Sequence, residues 1–237
     1  MPGIRTLIIA LWFLSLPLYA QVQLFAWERP PLVTQGADGQ GAGLVPELAT
    51  ELFRRAESSY QLRFMPLQRA LRQVQMQPNS CALLVERQQE REPSYVWVGP
   101  MLISRLGLYA QAADELQLFS LQQARGLNIL SHQGSGAGEY LQGAGLQVIY
   151  SNNEALNLSM LQRQRARLWA TSAAVARARA VDPPLREVLP FLTLMEDIAC
   201  HPQFDPVLLQ RLQMELQKMY VEGWVQALYQ RYDVNLY

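Results

Sequence analysis

The sequence predicts an α/β protein built from two similar lobes. The order strand–helix–strand–helix–strand runs from Val22 to Val85, and a second stretch of the same order runs from Leu127 to Ala170. This alternation is typical of a parallel sheet covered by helices. Two further amphipathic helices follow Asp205 near the end of the chain.

The first lobe takes its strands from short runs that are apolar or alternate in polarity, at 22–26, 60–64 and 81–85. Its helices are predicted where apolar residues recur at helical spacing, at 44–53 and 67–74. Trp27 stands at the carboxyl end of the first strand, and the prolines at 30 and 31 require an extended loop after it. Arg87 directly follows the third strand. Open α/β sheets keep their ligand crevice at that position, but the spacing alone fits a solvated surface charge equally well.

The second lobe is predicted from strands at 127–130, 147–150 and 168–170 and from helices at 120–126, at 139–142 and after the capping box at 151–154. We expect the chain to cross between the lobes near 102–105 and 194–198. These crossovers assign residues 21–102 and 199–237 to lobe 1 and residues 103–198 to lobe 2. The helix after Asp205 begins with that residue as N-cap and Pro206 in the first turn.

The first twenty residues predict export from the cytoplasm. Arg5 precedes an apolar core from Leu7 to Leu18, and Ala20 precedes the expected cleavage point, which is the layout of a secretory signal peptide. This core is too short to span a bilayer. Cleavage removes Arg5, so the formal charge changes from zero to −1. A charge so close to zero implies no basic face, and we expect neither nucleic-acid binding nor stable membrane insertion.

The chain has two cysteines, Cys81 and Cys200. In an exported protein such a pair is expected to be bridged, and two separate buried thiols are the alternative. A bridge would close a loop of about 120 residues, worth about 4–5 kcal/mol in the chain-entropy model. A metal site that uses Cys200 and His201 lacks further ligands at sensible spacing.

Several short motifs follow one another in a characteristic order. They are an aromatic–Pro–Pro element at 27–31, a Gly-led helix at 43–52, a Pro-x-x-Arg-Ala helix at 66–70, a charged loop at 87–92, an aromatic–x–Gly–Pro exit at 97–100, and closing helices with Gly223 and the segment 228–232. In this order the chain resembles the periplasmic solute-binding proteins of extracellular family 3, which serve amino-acid ABC transporters. The resemblance implies a type II periplasmic-binding-protein fold, whose two lobes are joined by two hinge crossovers.

The resemblance also implies a ligand site between the lobes. Arg87 occupies the position of the family's carboxylate-binding arginine, and a guanidinium can make two parallel charge-assisted bonds to a carboxylate. The turn Gly134–Ser135–Gly136 matches the element that supplies amide donors to the same carboxylate, unless it is an ordinary glycine-rich turn. Trp27 is a candidate wall of the site, with simple packing as the alternative, and Arg69 is a candidate that faces the cleft.

Two departures from the family pattern bear on the ligand. Gln88 and Gln89 replace a Thr-Pro pair, and Arg167 stands where an aspartate is common. The loss of an acidic residue puts an α-amino-acid ligand in doubt, although Arg167 could equally point into solvent. We expect a monomer without a cofactor that binds a small carboxylate-bearing solute for an ABC permease. The alternatives are a ligand-sensing module that serves a receptor and an enzyme that uses His132 as acid or base.

Overall fold

The computed structural model of the protein describes residues 21–152, 154–178 and 184–234. The predicted signal peptide, residues 1–20, lies outside this part. Among the described residues, no helix is long and apolar enough to cross a membrane. The described residues form ten strands, which are β1 Val22–Ala26, β2 Thr34–Gln35, β3 Gly41–Ala42, β4 Tyr60–Phe64, β5 Ser80–Glu86, β6 Val96–Gln111, β7 Ile129–His132, β8 Val148–Ser151, β9 Leu168–Ser172 and β10 Leu185–Cys200. The seven α-helices within the same ranges are α1 Leu44–Arg55, α2 Leu67–Met76, α3 Gly136–Gly143, α4 Glu154–Gln162, α5 Ala173–Ala178, α6 Pro206–Val221 and α7 Trp224–Arg231.

Eight strands form one sheet in the order β4-β1-β5-β10-β6-β9-β7-β8, and β2 and β3 form a separate hairpin. The three strands at each end pair in parallel, as the alternating sequence predicts. Between them run the antiparallel strands β6 and β10, each of 16 residues. We call β4-β1-β5 with α1, α2, α6 and α7 lobe 1, and β9-β7-β8 with α3, α4 and α5 lobe 2.

The predicted crossovers at 102–105 and 194–198 fall inside β6 and β10, where Leu194 pairs with Ser104. These two strands are therefore the connection between the ends of the sheet. The lobe boundaries at residues 102 and 198 stay a prediction.

The two faces of lobe 1 are covered for reasons visible in the sequence. The apolar side of α1 packs against α6 and α7 and buries Leu48, Leu52 and Phe53. The other face is covered by α2, whose Leu67, Ala70, Leu71 and Val74 are buried against β5. α6 begins where predicted, because the side chain of Asp205 accepts a hydrogen bond from the backbone N–H of Val207.

The predicted disulfide between Cys81 and Cys200 is confirmed. The two cysteines are paired residues of neighbouring strands, with Cys81 in β5 and Cys200 at the end of β10. The bond therefore joins β5 of lobe 1 to the end of β10, at the place where the chain returns from lobe 2.

A β-bulge interrupts the pairing of β5 with β10 between Ala82 and Val85. Leu84 there has a φ of 55°, which is unusual for a bulky residue. Leu83 and Leu84 both lie in the main core, whereas Ala82 and Val85 lie in the core beneath α2. The bulge thus reverses the alternation of side chains in the last part of the strand, which ends in Glu86.

Candidate functional site

The candidate site lies between the lobes, where the carboxyl ends of β1 and β5 face β7, the amino end of α3 and the first residue of α4. Ligand crevices of open α/β sheets are found at such strand ends. A group of charged side chains fills this place, which we call the charged cluster: Arg29, Glu86, Glu154 and Glu196. Each of them is at most 1% exposed.

Arg29 is the centre of the charged cluster. Its Nη1 donates to Oε2 of Glu196 at 2.5 Å. Its Nη2 lies 4.0 Å from Oε1 of Glu86, and its Nε lies 4.0 Å from Oε1 of Glu154 in lobe 2. The guanidinium carbon also lies 5.4 Å from the ring centroid of Trp27, a cation–π distance.

The charged cluster holds three carboxyl groups and only one guanidinium. Arg29 Nε, Glu86 Oε1 and Glu196 Oε1 are buried and have no hydrogen-bond partner among the described residues. Burial of an unpaired charge is costly, so such a group shifts its protonation or takes up a partner. The cluster therefore has an excess of acceptors, and a further cationic group would complement it.

The pKa values of two carboxyl groups reflect this environment. Burial raises the pKa of Glu196 to about 7, because it outweighs the attraction of Arg29. Burial also acts to raise the pKa of Glu154, but the nearby His132 and the charge of Arg29 outweigh it, so the pKa of Glu154 lies below its usual range. Glu154 is further held by hydrogen bonds from Trp169 and Thr171.

The turn Gly134–Ser135–Gly136 lies at the amino end of α3, where the sequence placed an anion site. The side chain of Ser135 caps the helix by accepting from the N–H of Gly138 at 3.0 Å, and it also bonds to Ser131. The backbone N–H of Gly136 donates to Oε2 of Glu86. A carboxylate of lobe 1 thus binds the helix end of lobe 2, as the helix dipole favours.

Trp27 and His132 meet across the cleft. Their ring centroids are 4.4 Å apart, and Nδ1 of His132 lies 3.3 Å from Oε1 of Glu154. Both rings are nearly buried. The two rings therefore face each other in the cleft, and His132 lies within the cleft rather than on the surface.

Two arginines of the charged loop have different positions. Arg87, the predicted carboxylate ligand, donates to Glu92 at 2.6 Å, lies 3.4 Å from Asp197 and stacks on Trp97, with its side chain 34% exposed. Arg91 is buried, and it donates to the carbonyl oxygen of Gly134 at 2.8 Å and to Glu139 of α3 at 2.7 Å. The structure therefore brings Arg91, not Arg87, to the predicted anion turn.

The other residues singled out in the sequence lie at different distances from the cleft. Arg69 is exposed on α2, one residue beyond Gln68, whose backbone adjoins Gly134. The amide of Gln88 approaches Gly136 so closely that a Cβ there would lie 2.4 Å from Nε2. Arg167 lies elsewhere: it makes an exposed pair with Asp114 at 2.8 Å.

Sequence reasoning missed the charged cluster. Arg29 lies within the Trp27–Pro31 element, and Glu86 lies between the predicted strand at 81–85 and the charged loop at 87–92. Glu154 is predicted only as the last residue of the capping box at 151–154, and Glu196 interrupts the apolar run from Leu192 to Cys200. That interruption was the available signal, because charged residues inside a buried strand are rare unless they are paired.

One small cavity lies between residues of the two lobes. A cavity of about 220 Å³ is lined by Trp27, Phe64, Met65 and Pro66 of lobe 1 and by Asn152 of lobe 2. This volume is below the usual range of small-molecule sites, roughly 300–1,000 Å³. Two larger cavities, of about 550 and 540 Å³, lie away from the charged cluster and adjoin none of its residues. Within the described residues, no three His, Cys, Asp or Glu side chains are placed to hold a metal ion.

The fold is that of known two-lobed binding proteins. A mutant of ArgBP from T. maritima matches with a TM-score of 0.79 at 17% identity, covering 89% of this chain and 94% of the other. A histidine kinase sensor domain with similarity to periplasmic binding proteins matches with a TM-score of 0.80 at 16% identity, covering 90% and 96%. An ancestral amino-acid-binding protein described as a precursor of cyclohexadienyl dehydratase matches with a TM-score of 0.78 at 15% identity, covering 90% and 95%.

No protein-family model matches the chain, and no curated protein matches it. The predicted two-lobed fold is confirmed by the structural matches, which at these identities bear on the fold alone.

Proposed function

We propose that the protein is a periplasmic solute-binding protein that captures a small carboxylate-bearing solute between its lobes and delivers it to an ABC permease. The observation that carries this proposal is the bond between the Gly136 amide and a carboxylate, made inside the cleft of a two-lobed binding fold. An amide at a helix end that holds the carboxylate of Glu86 has the chemistry to hold the carboxylate of a solute. Export to the periplasm, with cleavage after Ala20, is part of the proposal.

Binding would work by hinge closure, as in periplasmic binding proteins. The antiparallel strands β6 and β10 are the connection about which the lobes would move. A ligand stabilises the closed state only if it binds that state better than the open one. Gly136 lies on lobe 2, and Trp27 and Arg91 lie on lobe 1, so a solute held by all three would contact both lobes.

The second part of the proposal is which arginine binds the carboxylate of the solute. Arg87 is the candidate from sequence, but the position of Arg91 beside Gly134 favours Arg91 as the carboxylate ligand. Arg69, which is exposed, would contact a solute only at the edge of the cleft. The proposed ligand set is therefore Arg91 with Gly134, Ser135, Gly136 and Trp27.

A thermal-shift screen of the mature protein against amino acids, dicarboxylates and polyamines tests the proposal. A solute at 100 times its dissociation constant should stabilise the protein by about 2.7 kcal/mol. Arg91→Ala should abolish that shift, whereas Arg87→Ala should keep most of it. Arg125→Ala, which removes an exposed arginine of lobe 2, is the matched control. If no carboxylate-bearing solute shifts the wild-type protein, the proposal fails.

A ligand-sensing module is the second candidate, because the chain matches a histidine kinase sensor domain as well as it matches binding proteins. In that case the solute would bind as proposed, but the closed protein would contact a receptor instead of a permease. Pull-down of the ligand-bound protein from membranes of its own organism would decide between the two partners. Identification of a permease favours transport, and identification of a receptor kinase favours sensing.

A further inference from the structure

The cleft already contains the two kinds of group that a zwitterionic solute would bring. Glu86 supplies a carboxylate to the amide of Gly136. Arg29 supplies a guanidinium that faces Glu154 at 4.0 Å and Glu196 at 2.5 Å and lies over the ring of Trp27. Both side chains belong to lobe 1, whereas Gly136 and Glu154 belong to lobe 2.

We propose that Arg29 and Glu86 together act as an internal ligand that occupies the cleft and closes the lobes in the absence of a solute. The inference rests on the proposed function, because it names the solute class of the same site. A solute that displaces both side chains must offer both a carboxylate for Gly136 and a cation for Glu154 and Glu196. The expected class is therefore a small zwitterion that carries both groups.

Charge and burial support this assignment of the solute class. The charged cluster has one cation for three carboxyl groups, and buried oxygens of Glu86 and Glu196 have no hydrogen-bond partner among the described residues. Displacement of Arg29 would leave the buried carboxyl groups of Glu154 and Glu196 facing the site, and a cationic group of the solute would replace the guanidinium that they lose. A carboxylate alone could replace Glu86, but it would leave the guanidinium of Arg29 in place.

The same contacts imply a cost for solute binding. A solute can enter only the open fraction of the protein, so its apparent dissociation constant is the intrinsic constant divided by that fraction. Side chains that hold the empty cleft closed reduce the fraction. Removal of the internal ligand should therefore open the empty protein and strengthen solute binding at the same time.

The first experiment measures lobe closure without any solute. Mature protein, freed of co-purified solutes by unfolding and refolding with the disulfide intact, is measured by small-angle X-ray scattering. Glu86→Gln and the double variant Arg29→Ala/Glu86→Ala should have a larger radius of gyration than the wild-type protein. Glu90→Gln changes an exposed carboxylate of the charged loop that follows Glu86 and should leave the radius of gyration unchanged. Folded variants as compact as the wild-type protein would overturn the proposal.

The second experiment uses L-arginine as the probe, because this molecule carries both groups. L-arginine should bind the double variant at least tenfold more tightly than it binds the wild-type protein, measured by calorimetry. L-arginine should also bind that variant more tightly than agmatine and acetate do. Agmatine lacks the carboxylate, and acetate lacks the cation. Equal affinity of L-arginine for the variant and the wild-type protein would contradict the internal ligand. If the double variant does not fold, the same comparison is made with Glu86→Gln.

The two proposals can fail separately. If the wild-type protein binds no solute of the screen, the proposed function fails, but the scattering experiment still decides whether Arg29 and Glu86 hold the lobes together. If solutes bind and the Glu86 variants stay closed, the site survives and the internal ligand is wrong.

Discussion

At the scale of single residues, Asp197 is a buried carboxyl group in an unfavourable environment. Its Oδ2 lies 3.4 Å from Arg87, and its Oδ1 is buried with no hydrogen-bond partner among the described residues. Burial raises the pKa of Asp197 to about 6, although Arg87 acts in the opposite direction. The folded protein therefore binds a proton that the unfolded chain releases at lower pH.

We predict that Asp197→Asn stabilises the protein at alkaline pH. A carboxyl group with a raised pKa in the folded state costs stability as the pH rises from about 4 to about 6, and the full cost remains above that range. At pH 8 the gain from the amide should be on the order of 2 kcal/mol, and at pH 4 it should nearly vanish. Urea unfolding of both proteins at the two pH values measures the difference.

Asp114→Asn is the control, for which we expect a change in stability of the opposite sign. Hydrogen bonds from Arg167 hold the pKa of Asp114 below its usual range. The ionised form therefore contributes stability above the unfolded pKa, which is lost as the pH falls. Asp114→Asn should destabilise the protein at pH 8. A loss of stability in both variants at pH 8 would contradict the prediction for Asp197.

At the residue scale, the sequence indicates the glycine-rich turn before α3 but not the charges around it. Gly136 could be recognised because a glycine-rich turn before a helix is a local pattern. Glu86 could not, because its direction depends on the bulge at Leu84, and a bulge leaves no fixed trace in the residue types. The partners of Arg29 come from β5, β10 and α4, which are far apart along the chain.

At the scale of elements, α3 begins at the proposed anion turn and contains a matched pair of glycines. A Cβ on Gly136 would lie 2.4 Å from Nε2 of Gln88 and 2.9 Å from Oε2 of Glu86, both in lobe 1. A Cβ on Gly143, at the other end of the helix, would meet nothing within 4 Å. Alanine at Gly136 therefore tests the contact between the lobes, whereas alanine at Gly143 tests helix propensity alone.

We predict opposite effects of alanine at the two positions. Gly136→Ala should push the charged loop away from α3, increase the radius of gyration of the solute-free protein and lower its melting temperature. Gly143→Ala should leave the radius unchanged and stabilise the helix by about 0.5–1 kcal/mol, as alanine does relative to glycine in helices. Scattering and thermal unfolding measure both effects. An unchanged radius in Gly136→Ala would mean that the lobes do not meet at this glycine in solution.

Most elements could be predicted because their signals are local. The helices α1, α2, α6 and α7 have clear apolar periodicity, and the parallel strands are short apolar runs bounded by turns. One exception is β10, which begins at Leu185 although the sequence indicates an apolar run only from Leu192. Pro190 and the register shifts around it conceal the first half of this strand, whose partner β6 supplies the pairing.

At the scale of the whole molecule, the disulfide joins Cys81 to Cys200 across 119 positions of sequence. In the chain-entropy model, a crosslink over such a loop restricts the unfolded chain and stabilises the folded protein by about 4–5 kcal/mol. We predict that Cys81→Ala/Cys200→Ala lowers the free energy of unfolding by a similar amount. Denaturant unfolding measures this loss, with the reduced wild-type protein as control. Equal stability of oxidised wild-type protein and double variant would contradict the prediction.

The position of the disulfide also determines whether the protein stays in one piece when its backbone is cut. The loop that it closes contains the whole of lobe 2 and both connecting strands, so any backbone cut between residues 82 and 199 falls inside a covalent ring. Such a cut leaves two fragments that remain one molecule until the bond is reduced. In an oxidising compartment, a protease that nicks lobe 2 would therefore not release either half of the binding cleft.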